Sequence, residues 1–107
     1  MSEIVKAEKF TLTSSVDYSG ASVVSKTVVK KETGNVSLFA FDIGQGLSEH
    51  SAPFDAMVVV IDGTADIIIN KKSNILSAGE SIIMPANIPH AVKAVAKFKM
   101  MLVMIKS

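Results

Sequence analysis

The segment GQGLSEHSAPFDAMVVVIDG, residues 44–63, decides how this chain is read, and the segment GESIIMPANIPHAVKA, residues 79–94, answers it. Each opens on a glycine and carries one of the chain's two histidines, His50 and His90. In the first, five residues separate Gly44 from His50 and an apolar run ends at Gly63. In the second, five residues separate Gly79 from Pro85, and His90 follows a loop bounded by Pro85 and Pro89. Glycine permits positive φ and close backbone approach, and proline cannot donate to a central ladder. The spacing therefore predicts short strands broken at fixed corners, with each histidine carried near a strand end.

The flanking sequence continues the pattern. β-branched runs predict strands at residues 23–30, 36–42, 47–51, 56–61, 65–69, 75–76, 81–84 and 98–105, separated by turn residues. Asp62-Gly63 reads as a hairpin, residues 70–74 as a polar turn and residues 85–89 as a rigid crossing loop. In the first twenty residues, 3–9 could form one helical turn and Phe10, Leu12 and Val16 an edge strand. Eight or nine short strands joined by such turns imply an all-β single domain, a jelly-roll or small Greek-key barrel. Residues 1–20 are expected to form an N-terminal edge segment of that domain, and residues 21–107 the barrel.

Composition narrows the function classes. At 107 residues and 49% apolar, the chain can close a core without disulfides or a structural metal. A net charge of +1 with scattered lysines gives no basic stripe, so no nucleic-acid partner is expected. No run of roughly 18 apolar residues occurs, so no membrane span is expected either. The absence of cysteine excludes disulfides, thiolate zinc sites and cysteine nucleophiles. Glu3, Lys6, Glu8 and Lys9 interrupt any signal-peptide-like block, and a cytoplasmic setting is the expectation. Phosphate-binding, dinucleotide-binding and serine-hydrolase motifs are all missing.

Taken jointly, the glycine, proline and histidine spacings resemble the two signature motifs of the cupin superfamily, across residues 36–105. The first motif is glycine, five residues, His-x-His, three or four residues, glutamate, six residues, glycine. The second is glycine, five residues, Pro-x-Gly, two residues, histidine, three residues, asparagine. Gly44, His50, Gly63, Gly79, Pro85 and His90 match. Ala52 stands for the second histidine, Ala56 for the glutamate, Asn87 for a glycine and Ala94 for the asparagine.

The resemblance implies a cupin barrel, a jelly-roll or double-stranded β-helix, over residues 21–107. In complete motifs, three histidines and the glutamate surround a metal such as manganese, iron, nickel, copper or zinc. His50 and His90 are thus the candidate metal ligands here, with a divalent ion as candidate cofactor. Asp55, Glu49 and Gln45 are the nearby side chains that could complete such a set. Strict alternation turns Asp55 and Glu49 the other way unless a bulge intervenes, and Gln45 offers only a neutral oxygen. Without metal, Ala52 and Ala56 remove bulk as well as ligands and leave an apolar pocket. Its expected walls are His50, His90, Ala52, Ala56, Val58 and Val92, with Phe41 or Phe39, Phe54 and Met84.

Two functions follow: a barrel that binds a small organic ligand inside, or a metal-dependent enzyme of oxygenase, isomerase or decarboxylase type. A third class uses the outer surface to bind a partner. Alternation puts Ala56, Val58 and Val60 inside and Met57, Val59 and Ile61 outside. The last strand places Phe98, Met100, Leu102 and Met104 on one face and Met101, Val103 and Ile105 on the other. A strand apolar on both faces must be covered on both. A homodimer is the expected cover, and the first twenty residues folding back is the alternative.

Overall fold

Seven strands make up the computed structural model, which describes residues 3–106: β1 (Val23–Lys31), β2 (Gly34–Phe41), β3 (Gly46–His50), β4 (Asp55–Ile69), β5 (Lys72–Ser77), β6 (Ser81–Met84) and β7 (His90–Ile105). Residues 1, 2 and 107, the extremes of the two expected segments, lie outside the described residues. Every pairing is antiparallel. The frame is the ladder between β4 and β7, which run for 15 and 16 residues and pair along most of their length.

That ladder corrects the sequence reading, which broke β4 in two at Asp62-Gly63 and began the last apolar strand only at Phe98. Asp62-Gly63 is not a hairpin but sits inside β4 between two register shifts, the first a bulge at Ile61. Gly63 pairs with Phe98 and Ala65 with Ala94, so Thr64 alone faces residues 95–97 of β7. Gly63 has φ of 76°, and a Cβ there would lie 1.8 Å from the Lys97 carbonyl oxygen. Only glycine lets the two backbones approach so closely.

These shifts bend both long strands at one level. Beyond it, β4 pairs with β5, and the first part of β7 pairs with β3. Before it, β4 pairs with β6, and the last part of β7 pairs with β2, which pairs with β1. The two halves close on a shared interior containing Phe41, Val58, Val60, Ile67, Phe98 and Met100. Phe41 and Phe98 have no exposed surface, and their rings stack at 4.5 Å and 5°. Burial of side chains this size contributes about 1.5–3 kcal/mol each.

The outer face is divided. Over Leu38, Ala40, Ile61 and Met101 lies the N-terminal segment, through Ile4, Leu12, Val16 and Tyr18. This segment forms neither the edge strand nor the helical turn expected of it; it is irregular and held by side chains. Tyr18 donates to the Asp62 carboxylate at 2.6 Å, and the buried Lys99 donates to the Thr13 carbonyl. Burial, then the Asp62 hydrogen bond and charge, raise the Tyr18 pKa, so the phenol stays a donor. Part of the cover that sequence reasoning assigned to a second subunit therefore comes from the chain itself. Met57, Val103 and Ile105, with Ile83 of β6, stay outside it and line an open groove of about 330 Å³.

Candidate functional site

His50 reaches the interior by a bulge. Leu47 pairs with Val92 and His50 with His90, so β3 takes three steps where β7 takes two. Alternation alone would put Leu47 and His50 on opposite faces; the extra residue at Ser48 or Glu49 brings both to the same cavity. His90, 5% exposed, begins β7, and the loop before it is latched on both sides. Asn87 N–H donates to the Ala52 carbonyl at 2.7 Å, and Ala86 N–H to the Asp55 carboxylate at 2.8 Å. Asn70 N–H donates to the Pro89 carbonyl at 2.8 Å. Asn87, where the motif has glycine, has φ of 66°, a conformation asparagine tolerates better than most side chains.

The two imidazoles meet edge to face, with ring centroids 4.5 Å apart and planes at 73°. Both engage Nδ1 with the carbonyl two residues upstream: His50 with Ser48 at 2.8 Å and His90 with Ile88 at 3.1 Å. A carbonyl only accepts, so each Nδ1 carries the proton and each Nε2 keeps a lone pair. Burial chiefly, with the neighbouring His50 adding to it, lowers the His90 pKa against the opposing pull of the Ile88 hydrogen bond. These favour the neutral form of His90, while His50 is exposed.

The rings border a cavity of about 50 Å³ whose other walls are all apolar. Of the expected pocket residues, His50, His90, Ala52, Ala56 and Val92 are brought together there, along with Phe54 and Met84. Phe41 and Val58 are not. Both are completely buried in solid core, because alternation fixes the face of a strand and not the depth along the barrel. Phe39 also packs against that core rather than the cavity. The walls that sequence reasoning missed are Leu47, Met100, Leu102 and Met104. The last three belong to the inward row already visible in the final strand, and Leu47 depends on the bulge.

The residues present do not fit the divalent ion that complete cupin motifs imply. Asp55 accepts the Ala86 amide on one carboxylate oxygen, and exposed Glu49 pairs with exposed Lys71 at 3.4 Å; neither lines the cavity. Gln45 uses its backbone to bind Asp42 and Ala94. Among the described residues, no three His, Asp, Glu or Cys side chains gather to hold a metal, whereas catalytic zinc sites draw on three protein ligands.

A family model described as a cupin domain matches residues 37–106. The chain belongs to the cupin family. A conserved protein of unknown function from Streptococcus pyogenes is 37% identical, with a TM-score of 0.92, over 100% of this chain and 96% of that one. A cupin 2 conserved barrel domain protein from Leptotrichia buccalis is 40% identical with a TM-score of 0.88; the match covers 91% of this cupin and 47% of that chain. A cupin superfamily protein from Desulfitobacterium hafniense, at 22% identity and a TM-score of 0.91 over 99% and 97% of the two chains, shares the fold. No curated protein matches. The jelly-roll barrel expected from the turn spacing is therefore the fold of this cupin, and among the described residues no helix is long and apolar enough to cross a membrane.

Proposed function

We propose that this cupin is a binding protein whose small ligand is recognised inside the barrel by His50 and His90. The observation that carries this reading is the pair of imidazoles in the wall of an otherwise apolar cavity, each with Nδ1 on a backbone carbonyl, which leaves Nε2 as the acceptor of the neutral ring. Two acceptors with no donor beside them select a hydroxyl, amine or other N–H group. A cavity of about 50 Å³ holds only a few heavy atoms, since one water takes roughly 30 Å³ of liquid. The ligand would insert a small donor-bearing head and leave the rest at the mouth beside His50.

Thermal shift across a panel of small alcohols, amines and N–H heterocycles tests it. A ligand at a hundred times its dissociation constant adds about 2.7 kcal/mol, and that shift should vanish in His50→Ala and in His90→Gln. A flat panel contradicts the proposal. The alternative, an oxygenase, isomerase or decarboxylase using a divalent ion on His50 and His90, has less support because, among the described residues, no third His, Asp, Glu or Cys side chain gathers with them.

Two further parts of the reading concern setting. The cysteine-free composition suits a reducing compartment such as the cytoplasm. The groove formed by Met57, Ile83, Val103 and Ile105 suits a second copy presenting the same apolar row across a two-fold axis. Sedimentation should give a dimer that Val103→Asp converts to a monomer; a monomeric wild type at micromolar concentration contradicts it.

A further inference from the structure

Of the residues that line the cavity, all but Ala52 and Phe54 stand on β3, β4, β6 or β7, where neighbouring strands hold their backbone. Ala52 has no side chain beyond Cβ, so Phe54 is the one bulky wall carried by a loop. Register explains where it stands. Ala56 pairs with Met104, and Asp55 pairs with Ile105 as the outermost rung of β4 on β7. Alternation then puts Phe54 and Lys106 one step beyond Ala56 and Met104 on the cavity-facing rows, at the end of the ladder away from the Gly63 bend. There the Lys106 ammonium lies 5.8 Å from the centre of the Phe54 ring, within cation–π reach. The backbone around both is tethered. Lys106 N–H donates to the Thr33 carbonyl at 2.7 Å, Asn87 N–H to the Ala52 carbonyl at 2.7 Å, and Ala86 N–H to the Asp55 carboxylate at 2.8 Å. What remains to move is the half-buried ring itself, turning about its χ angles on a fixed backbone.

We propose that Phe54 is the stopper of this cavity and the residue that sets the size of the ligand it accepts. The inference rests on the proposed ligand reading and adds the wall that decides how much bulk fits beside the donor group. With the ring seated against Lys106, the cavity has about 50 Å³. With the ring turned out, the same space opens at the end of the barrel. A ligand enters while the ring is out and is retained when it returns. Bulk too large for the closed cavity props the stopper open and forgoes that retention, so affinity falls with bulk next to the donor. Lys106 biases the ring toward the closed position, by about two- to fivefold for a cation–π pair near the surface. Ordinary packing is the competing role of Phe54: a ring that only fills space stays still when the cavity is occupied, and its loss costs stability alone.

Xenon, which occupies small apolar cavities without needing a hydrogen bond, is the first probe, applied under pressure to the full chain with isotope-labelled phenylalanine rings and methionine methyl groups for NMR. The expected result is that the Phe54 ring resonances shift and broaden with xenon while those of the stacked Phe41 and Phe98 rings stay unchanged. These spectra need no variant, so they decide the question even where a substitution perturbs folding. Lys106→Ala should speed xenon exchange about two- to fivefold. Cyclohexanol, whose bulk adjoins its hydroxyl, is the second probe, and Phe54→Ala should bind it at least about tenfold more tightly than the wild type does. A chain that takes up no xenon, xenon shifts at the Met100 and Met104 methyls with an indifferent Phe54 ring, or equal cyclohexanol affinity in the wild type and Phe54→Ala would each overturn the inference. A flat panel of donor-bearing ligands with a responsive Phe54 ring would sink only the proposed function; a responsive panel with a motionless ring would sink only this inference.

Discussion

Near the bend of the barrel, Phe41 and Phe98 stack with no exposed surface among Val60, Ala65, Leu76 and Ala94. Away from the bend, the same β4 and β7 enclose a small cavity walled by flexible methionines, alanines and two imidazoles. One region is held by rigid rings and a backbone contact that admits nothing but glycine. The other is filled by side chains that adjust. The contrast separates two jobs within one sheet: the bend determines whether the chain folds, and the mouth determines what it holds.

The largest effect should come from Gly63→Ala. Its Cβ would meet the Lys97 backbone oxygen at 1.8 Å, which no rotamer relieves, and positive φ adds about 1–2 kcal/mol for a non-glycine residue. Circular dichroism should show loss of a cooperative thermal transition. Gly79→Ala sharpens the point: its φ is also positive, but no atom lies within 4 Å of its Cβ. It should cost only the conformational part, and equal effects at the two sites would break the account of the bend. Next in size is Phe98→Ala, expected to lower stability by about 3–5 kcal/mol in urea titration.

At the mouth, effects should be smaller and chemical. The His90 pKa is depressed in the folded chain, so as pH falls through the ordinary histidine range near 6.5 the unfolded chain takes up the proton first. Stability on this account is complete above that range and declines below it. The urea midpoint should drop between pH 7.5 and pH 5 in the wild type, and the drop should shrink in His90→Gln. Smallest is Met84→Leu, a volume-conserving change expected to cost less than about 1.5 kcal/mol. A larger loss there would erase the distinction between the two regions.

The backbone part of the site was legible in the sequence. Gly44, Gly63 and Gly79 all have positive φ, and Asn87 keeps that conformation where the motif has glycine. Ala94 keeps the link between the motifs without the motif's asparagine, because its own N–H and C=O bond Gln45 and Gly44. What changed is chemistry: Ala56 keeps its place in β4 and Ala52 its place in the loop after β3, and both drop the ligands. The bulge before His50 and the bend at Gly63 were less legible. Each depends on a register with residues more than thirty positions away, and local alternation carries no record of it. The N-terminal segment was misread for a related reason. Phe10, Leu12 and Val16 carry the apolar signal of an edge strand, yet Leu12 and Val16 dock through side chains onto the cluster of Leu38, Ala40 and Ile61 without joining the sheet.

The measurement closest to the central claim is a long-range nitrogen–proton NMR correlation of the two imidazoles in untreated protein at pH 7.5. Both rings should show Nδ1 protonated and Nε2 bare, with the Nε2 resonances moving when a ligand fills the cavity. A proton on Nε2 of either ring, or Nε2 resonances indifferent to every addition, would contradict it.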